Sequence, residues 1–189
     1  MQALESRLGG RLAAVSLPSG RTGAVKLLAS ADFQTLRSTG SGSMLGLYVH
    51  RVTVDAEARN AFRPATPGSG QQPRPLLPLN LHFFLVASAP KGSAADEIML
   101  LAWGMRELAL APTLSMPELS DFDPSWSEGE TVQILPEELP TEDLLKIWDA
   151  LPSKYSLTAT FVVRTIRVLL DAPLDAGAVI QRVLELGGP

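Results

Sequence analysis

The chain has 189 residues, 46% of them hydrophobic and 19% charged, with a net charge of −4. This apolar content excludes a chain disordered over most of its length, and the acidic balance excludes a domain-wide surface for nucleic-acid phosphates, so no nucleic-acid partner is expected. The length fits one domain over 1–189. With no cysteine and only His50 and His82, neither a disulfide frame nor a Cys- or His-based metal site is expected, and no cofactor is implied.

No apolar run approaches the roughly 18 to 20 residues that span a bilayer, and Glu5 and Arg7 interrupt any leader-like start. The expectation is a soluble, non-secreted chain without a membrane partner. Leu4, Leu8 and Leu12 are four apart, which predicts a first helix weakened by Gly9 and Gly10. A short strand over 25–29 and a short helix or turn over 32–37 follow. The glycines at 40 and 42 then read as a loop, and their spacing does not match a phosphate-binding motif.

Residues 44–54, MLGLYVHRVTV, read as a strand with Leu45, Leu47 and Val49 on one face and Tyr48, His50, Val52 and Val54 on the other. Five prolines between Arg63 and Pro78 predict a long loop, mobile over about 63–78. Residues 79–88, LNLHFFLVAS, alternate as a central strand packed on both faces.

Ser93 reads as a helix cap with Asp96 reaching back to it, and Ile98, Leu101, Ala102, Met105, Leu108 and Ala109 as the buried stripe of the helix that follows. Trp103 then falls on an outer face, whose surplus of apolar surface suits a subunit contact. A second mobile loop is expected at about 115–130, before a strand over 131–135 and a helix capped by Thr141. In that helix Trp148 has a core role.

The last long strand, 157–170, reads as Phe161, Val163 and Leu169 opposite Val162, Ile166 and Val168. Residues 178–186 fit either strand or helix.

No catalytic motif is present, and His50 and His82 read as packed, hydrogen-bonded histidines within strands. Residues 118–149 hold ten of the twenty acids against Lys146 alone. The segment therefore carries −9 and the rest of the chain +5. Asp121, Asp123, Glu128 and Glu130 read as a solvated acidic loop rather than a calcium site. Arg59, Asn60, Arg63 and Arg74 flank the proline-rich segment, where an arginine suits an acidic partner and Asn60 a turn.

The succession LYVHRVTVDAEARN at 47–60, PLLPLNLHFFLVAS at 75–88, LALAPTL at 108–114 and VQILPEELPTEDLLKIWDALPSKYSLTATFVVRTIRV at 132–168 resembles the cap, or tail-terminator, family of contractile injection systems. Arg59-Asn60, the Pro78 to His82 run, and Leu144 to Trp148 followed by Tyr155-Ser156-Leu157 carry most of the likeness. The resemblance implies an α+β fold with a mixed, largely antiparallel sheet of about four to six strands and two main helices. It also implies a non-enzymatic homo-oligomeric ring of six subunits that ends the inner tube and sheath, assembled in the cytoplasm as part of a phage-tail-like particle.

On that reading Arg59, Asn60, Arg63, Arg74, Trp103, Asp121, Asp123, Glu128 and Glu130 are the candidate interface residues. A protein-binding adaptor working through the proline-rich segment, or the terminator of a true phage tail, remains the alternative.

Overall fold

Leucines four apart wind the start of the chain into α1 (Gln2–Leu12), with Leu4, Leu8 and Leu12 buried. Gly9 and Gly10 do not break it, because burial of the leucine stripe outweighs their cost. The computed structural model describes residues 1–36, 42–56, 62–63, 74–89, 93–126 and 129–169. After α1 come β1 (Gly23–Leu27), a 3-10 turn (Ser30–Gln34), β2 (Ser43–Val54), β3 (Phe62–Arg63) and β4 (Arg74–Ser88). They are followed by α2 (Ala94–Leu110), β5 (Thr113–Ser115), α3 (Met116–Ser120), β6 (Thr131–Pro136), α4 (Thr141–Asp149) and β7 (Thr158–Leu169).

Among the described residues the strands form one mixed, largely antiparallel sheet in the order β1-β2-β4-β7-β6-β5, with β3 paired to β4. Only β1 and β2 run parallel. Strand β4 sits in the middle because both its faces are apolar. Phe83 and Leu85 point into a core shared with α1 and α2, while Phe84 and Val86 point to the opposite side, where Phe33 of the 3-10 turn and Trp148 of α4 cover them. Trp148 stacks on Phe84 with ring centroids 5.6 Å apart and meets Phe33 edge-on at 5.6 Å. The expected core role of Trp148 is what the structure shows.

Several expectations need correction. Strand β4 begins at Arg74, so residues 74–78 belong to the sheet despite Pro75 and Pro78. Pro78 lies beyond the last pair of the β2 ladder, Val54 with Leu79, and its carbonyl still accepts the Asp55 N–H. The amide that proline lacks thus falls where the ladder has closed. The loop expected at 115–130 contains α3, fixed by Glu118 accepting both the Ser115 N–H and its hydroxyl at 2.9 Å. Thr141 is the first helical residue of α4 rather than its cap, which is Pro140.

Two β-bulges overturn the face assignments of the long strands. One lies between Val49 and Arg51 of β2, the other in β7 between Val163 and Ile166, opposite Leu81 and Leu79 of β4. A single extra residue shifts the register by one and exchanges the faces beyond it. Val52, Val54, Ile166 and Val168 therefore share the face of Leu45, Leu47, Phe161 and Val163, while Arg51 and Thr53 point to the other side.

The buried stripe of α2 is the expected one only in part: Leu101 and Leu108 are buried as expected, but Leu100, Trp103, Gly104 and Glu107 are buried with them, and Ile98, Ala102, Met105 and Ala109 are exposed. Gly104 decides the matter, for a Cβ there would lie 2.7 Å from Leu45 Cδ2 and 3.1 Å from Leu85 Cδ1. Only glycine lets the helix come this close to β2 and β4.

Candidate interaction surface

The acidic segment comprises α3, the turn after it, β6 and α4, and part of its charge is already paired within the chain. Glu118 lies 3.5 Å from Arg7, which is itself fixed by donating to the Thr113 and Ala111 carbonyls at 2.7 and 2.9 Å. Partial burial opposes ionisation of Glu118, but the two bonds from Ser115 and the Arg7 guanidinium outweigh it and hold the carboxyl below its usual range. Glu130 lies 3.5 Å from Arg167, Glu137 3.1 Å from Arg51, and Asp143 3.0 Å from Lys146. Asp121, Glu138, Glu142 and Asp149 are exposed.

The candidate interface residues divide accordingly. Asp121 and Asp123 are exposed side by side in the turn after α3, where Asp123 accepts the Ser125 N–H at 2.9 Å, a bond that lowers its pKa. Glu130 is half-buried beside Arg167. Arg63 pairs with Arg74 in the backbone register of the β3–β4 ladder. Trp103 is 6% exposed within the α1–α2 core, so the outer-face placement expected for it is corrected. Arg59, Asn60 and Glu128 lie outside the described residues.

His82 is buried, with Nδ1 2.8 Å from Glu137 Oε1 and Nε2 2.9 Å from Thr53 Oγ1. Arg51 lies 3.1 Å from both Nδ1 and Glu137 Oε1. Glu137, a carboxylate, accepts from both His82 Nδ1–H and Arg51, and the Thr53 hydroxyl pairs with His82 Nε2. His50 stacks on Phe84 at 5.9 Å, and burial lowers its pKa. Among the described residues no group of three or more His, Asp or Glu side chains is placed to hold a metal ion. No helix among them is long and apolar enough to cross a membrane.

Ser93 is the N-cap of α2 as expected, but Asp96 does not reach back to it, which corrects the role read from the sequence. Asp96 is 1% exposed and accepts the Ser19 N–H at 3.1 Å and hydroxyl at 2.6 Å, pinning the turn at Gly20 (φ 73°) against the helix start. The signal available was an acid at a core-facing helical position with a serine-glycine turn elsewhere in the chain.

The family described as the Pvc16 N-terminal domain matches residues 1–182. The chain belongs to that family. No curated protein matches the chain. Among solved structures it is similar to the sheath/tube terminator of PVC, an extracellular contractile injection system, in the extended state. Sequence identity is 14% and the TM-score 0.59, over 93% of this chain and 58% of that one. It is also similar to the anti-feeding prophage cap, a tube-terminating cap, at 10% identity and TM-score 0.58, over 89% of this chain and 55% of that one. At these identities the likeness is one of fold. The chain thus spans under two thirds of the length of either structure.

Proposed function

We propose that this Pvc16-family chain is a structural cap of a contractile injection system, forming a homo-oligomeric ring of six that ends and stabilises the inner tube and sheath at the end away from the baseplate. The observation that carries the reading is the likeness to a sheath/tube terminator over 93% of the chain, together with the family match over residues 1–182. The role asks for surfaces rather than chemistry, so the protein acts without catalysis, metal or cofactor, and its partners are itself, tube and sheath. It acts as a single domain, assembles in the cytoplasm and leaves the cell only with the particle.

The surfaces suit this role. A closed ring uses two different patches of each subunit, and opposite charge on the two fixes their orientation. On this reading the basic contact is assigned from the sequence to Arg59, Asn60, Arg63 and Arg74, and the acidic contact to Asp121, Asp123, Glu128 and Glu130, of which Asp121 and Asp123 are the exposed members among the described residues. Trp103 supports the interface only from within, by holding α2 in place.

The test is absolute mass by light scattering, on the chain alone and mixed with tube and sheath proteins. Six chains of 20.2 kDa form a ring of about 121 kDa, which is the expected species. A chain that remains a monomer in that mixture, bound to neither protein, contradicts the proposal.

A further inference from the structure

The start of α1, the turn after α3 and the strands β5 to β7 form an apolar pocket of about 190 Å3. The buried Leu4, Leu114 and Val132 line it, and Phe122, Asp123 and Trp126 stand at its mouth. Phe122 is 47% exposed, an aromatic side chain in water between two exposed aspartates, Asp121 and Asp123. Among the described residues neither aspartate has an ion-pair partner, whereas Glu118 and Glu130 of the same segment are paired with Arg7 and Arg167. An apolar cavity of about 150 Å3 takes up a benzene-sized group. The pocket therefore has room for one aromatic side chain, and the carboxylates at its mouth favour one carried beside a cation.

That combination occurs elsewhere on the same chain. Lys154 and Tyr155, in the connection from α4 to β7, are both exposed, Tyr155 by 47%, and among the described residues Lys154 has no ion-pair partner. The other exposed large apolar side chains with a described base next to them are Val52, Met105, Leu145 and Val168, and their bases are already paired with Glu137, Glu107, Asp143 and Glu130. Tyr155 packs edge-on against Trp148, with ring centroids 5.8 Å apart, which holds it on the α4 side of the sheet. The pocket belongs to the α1 side, so a chain does not fill it with its own Tyr155.

We infer that Tyr155 of one copy enters this pocket on the next copy, with Lys154 paired to Asp121 and Asp123 at the mouth. The inference rests on the ring reading, since it needs a second copy, and it gives the acidic contact of that ring a defined partner in addition to the arginines. Tyrosine and pocket lie on opposite sides of the sheet, so each bound copy leaves the other half of the contact free for a further one. Such a head-to-tail contact continues beyond a pair and closes into a ring when the rotation per subunit permits.

The absence of cysteine from the chain permits a direct test. Full-length Lys154→Cys and Asp123→Cys chains carrying different tags are mixed with each other and with tube and sheath proteins, then oxidised mildly. The control pairs Lys154→Cys with Ile98→Cys, on the exposed face of α2. The expected result is a disulfide joining one chain of each kind, at the mass of two chains on a non-reducing gel, at least tenfold more abundant than in the control. Tyr155→Ser is expected to lower the yield of assembled rings at least tenfold, and Tyr155→Phe, which keeps the aromatic group, to restore it.

If the unsubstituted chain assembles while cross-linking only equals the control, or while Tyr155→Ser assembles equally well, the inference is overturned and the cap reading stands. No assembly at all in the mixture overturns both. Loss of tube or sheath binding in Phe122→Ser, with the ring yield unchanged, assigns the pocket to one of those proteins and also overturns the inference.

Discussion

His82 on β4 donates to Glu137 beyond the end of β6 at 2.8 Å, and because β7 runs between those strands the bond spans it. The Glu137 N–H is held by the Thr160 carbonyl of β7, and its carboxylate also takes Arg51 from β2. One residue therefore ties together four neighbouring strands, its side chain reaching β4 and β2 and its backbone β7. Glu137→Ala leaves a buried imidazole without its acceptor, and the expected loss is about 1–3 kcal/mol of folding stability. Urea denaturation of the variant beside wild type measures it, with an unchanged midpoint as the contrary result.

Asp96 is a buried carboxylate whose partners are both in Ser19. Asp96→Ala deletes the acceptor and leaves a buried amide and hydroxyl unpaired, so a loss of about 1–3 kcal/mol is expected. Ser19→Ala, which leaves the Ser19 amide bond in place, should cost less. Thermal melts of the two variants decide the order, and equal melting temperatures would rule out the pinning role.

Gly104→Ala tests the close approach of α2 to the sheet. The substitution favours the helix by up to about 1 kcal/mol, but the new methyl meets Leu45 and Leu85, both fully buried and without room to move, and overpacking costs about 1–3 kcal/mol. A net loss of stability is predicted. Gly9→Ala in α1, where a Cβ meets nothing, is predicted to raise it.

Stability should fall with acid in two stages. Burial holds the His50 pKa below its ordinary 6.5, so as pH drops through that value the unfolded chain takes up a proton the folded chain refuses. Stability begins to decline there. The carboxyls of Asp32, bonded to Lys26, and Glu107, bonded to Arg11, have folded pKa values below their ordinary 3.8 and 4.5. Their contribution is full above those values and lost as pH falls through the lowered ones. Urea midpoints across the pH range should show both stages, and His50→Leu should remove the upper one alone.

Much of this fold was legible in the sequence because its signals are local. Leucines four apart marked α1, strict alternation marked the β4 core, and Trp148 in an amphipathic turn was core. The faces of β2 and β7 were not legible, since period-two alternation assumes an unbroken ladder and each bulge adds a residue that only the partner strand determines.

The buried side of α2 was ambiguous because the helix is apolar nearly all round. The useful mark was Gly104 in mid-helix, which signals a close neighbour rather than a weak helix. The pairing of acids with Arg7, Arg51 and Arg167 depends on contacts made by folding alone, so the charge split read from the sequence overstated how much of the acidic segment is free.

The cap account is tested most directly by locating the protein on its particle. Particles purified from cells making an epitope-tagged chain are labelled with gold and viewed by negative stain. The account predicts label at one end only, opposite the baseplate, on extended and contracted particles alike. Label at the baseplate, along the shaft, or absent from particles altogether would contradict it.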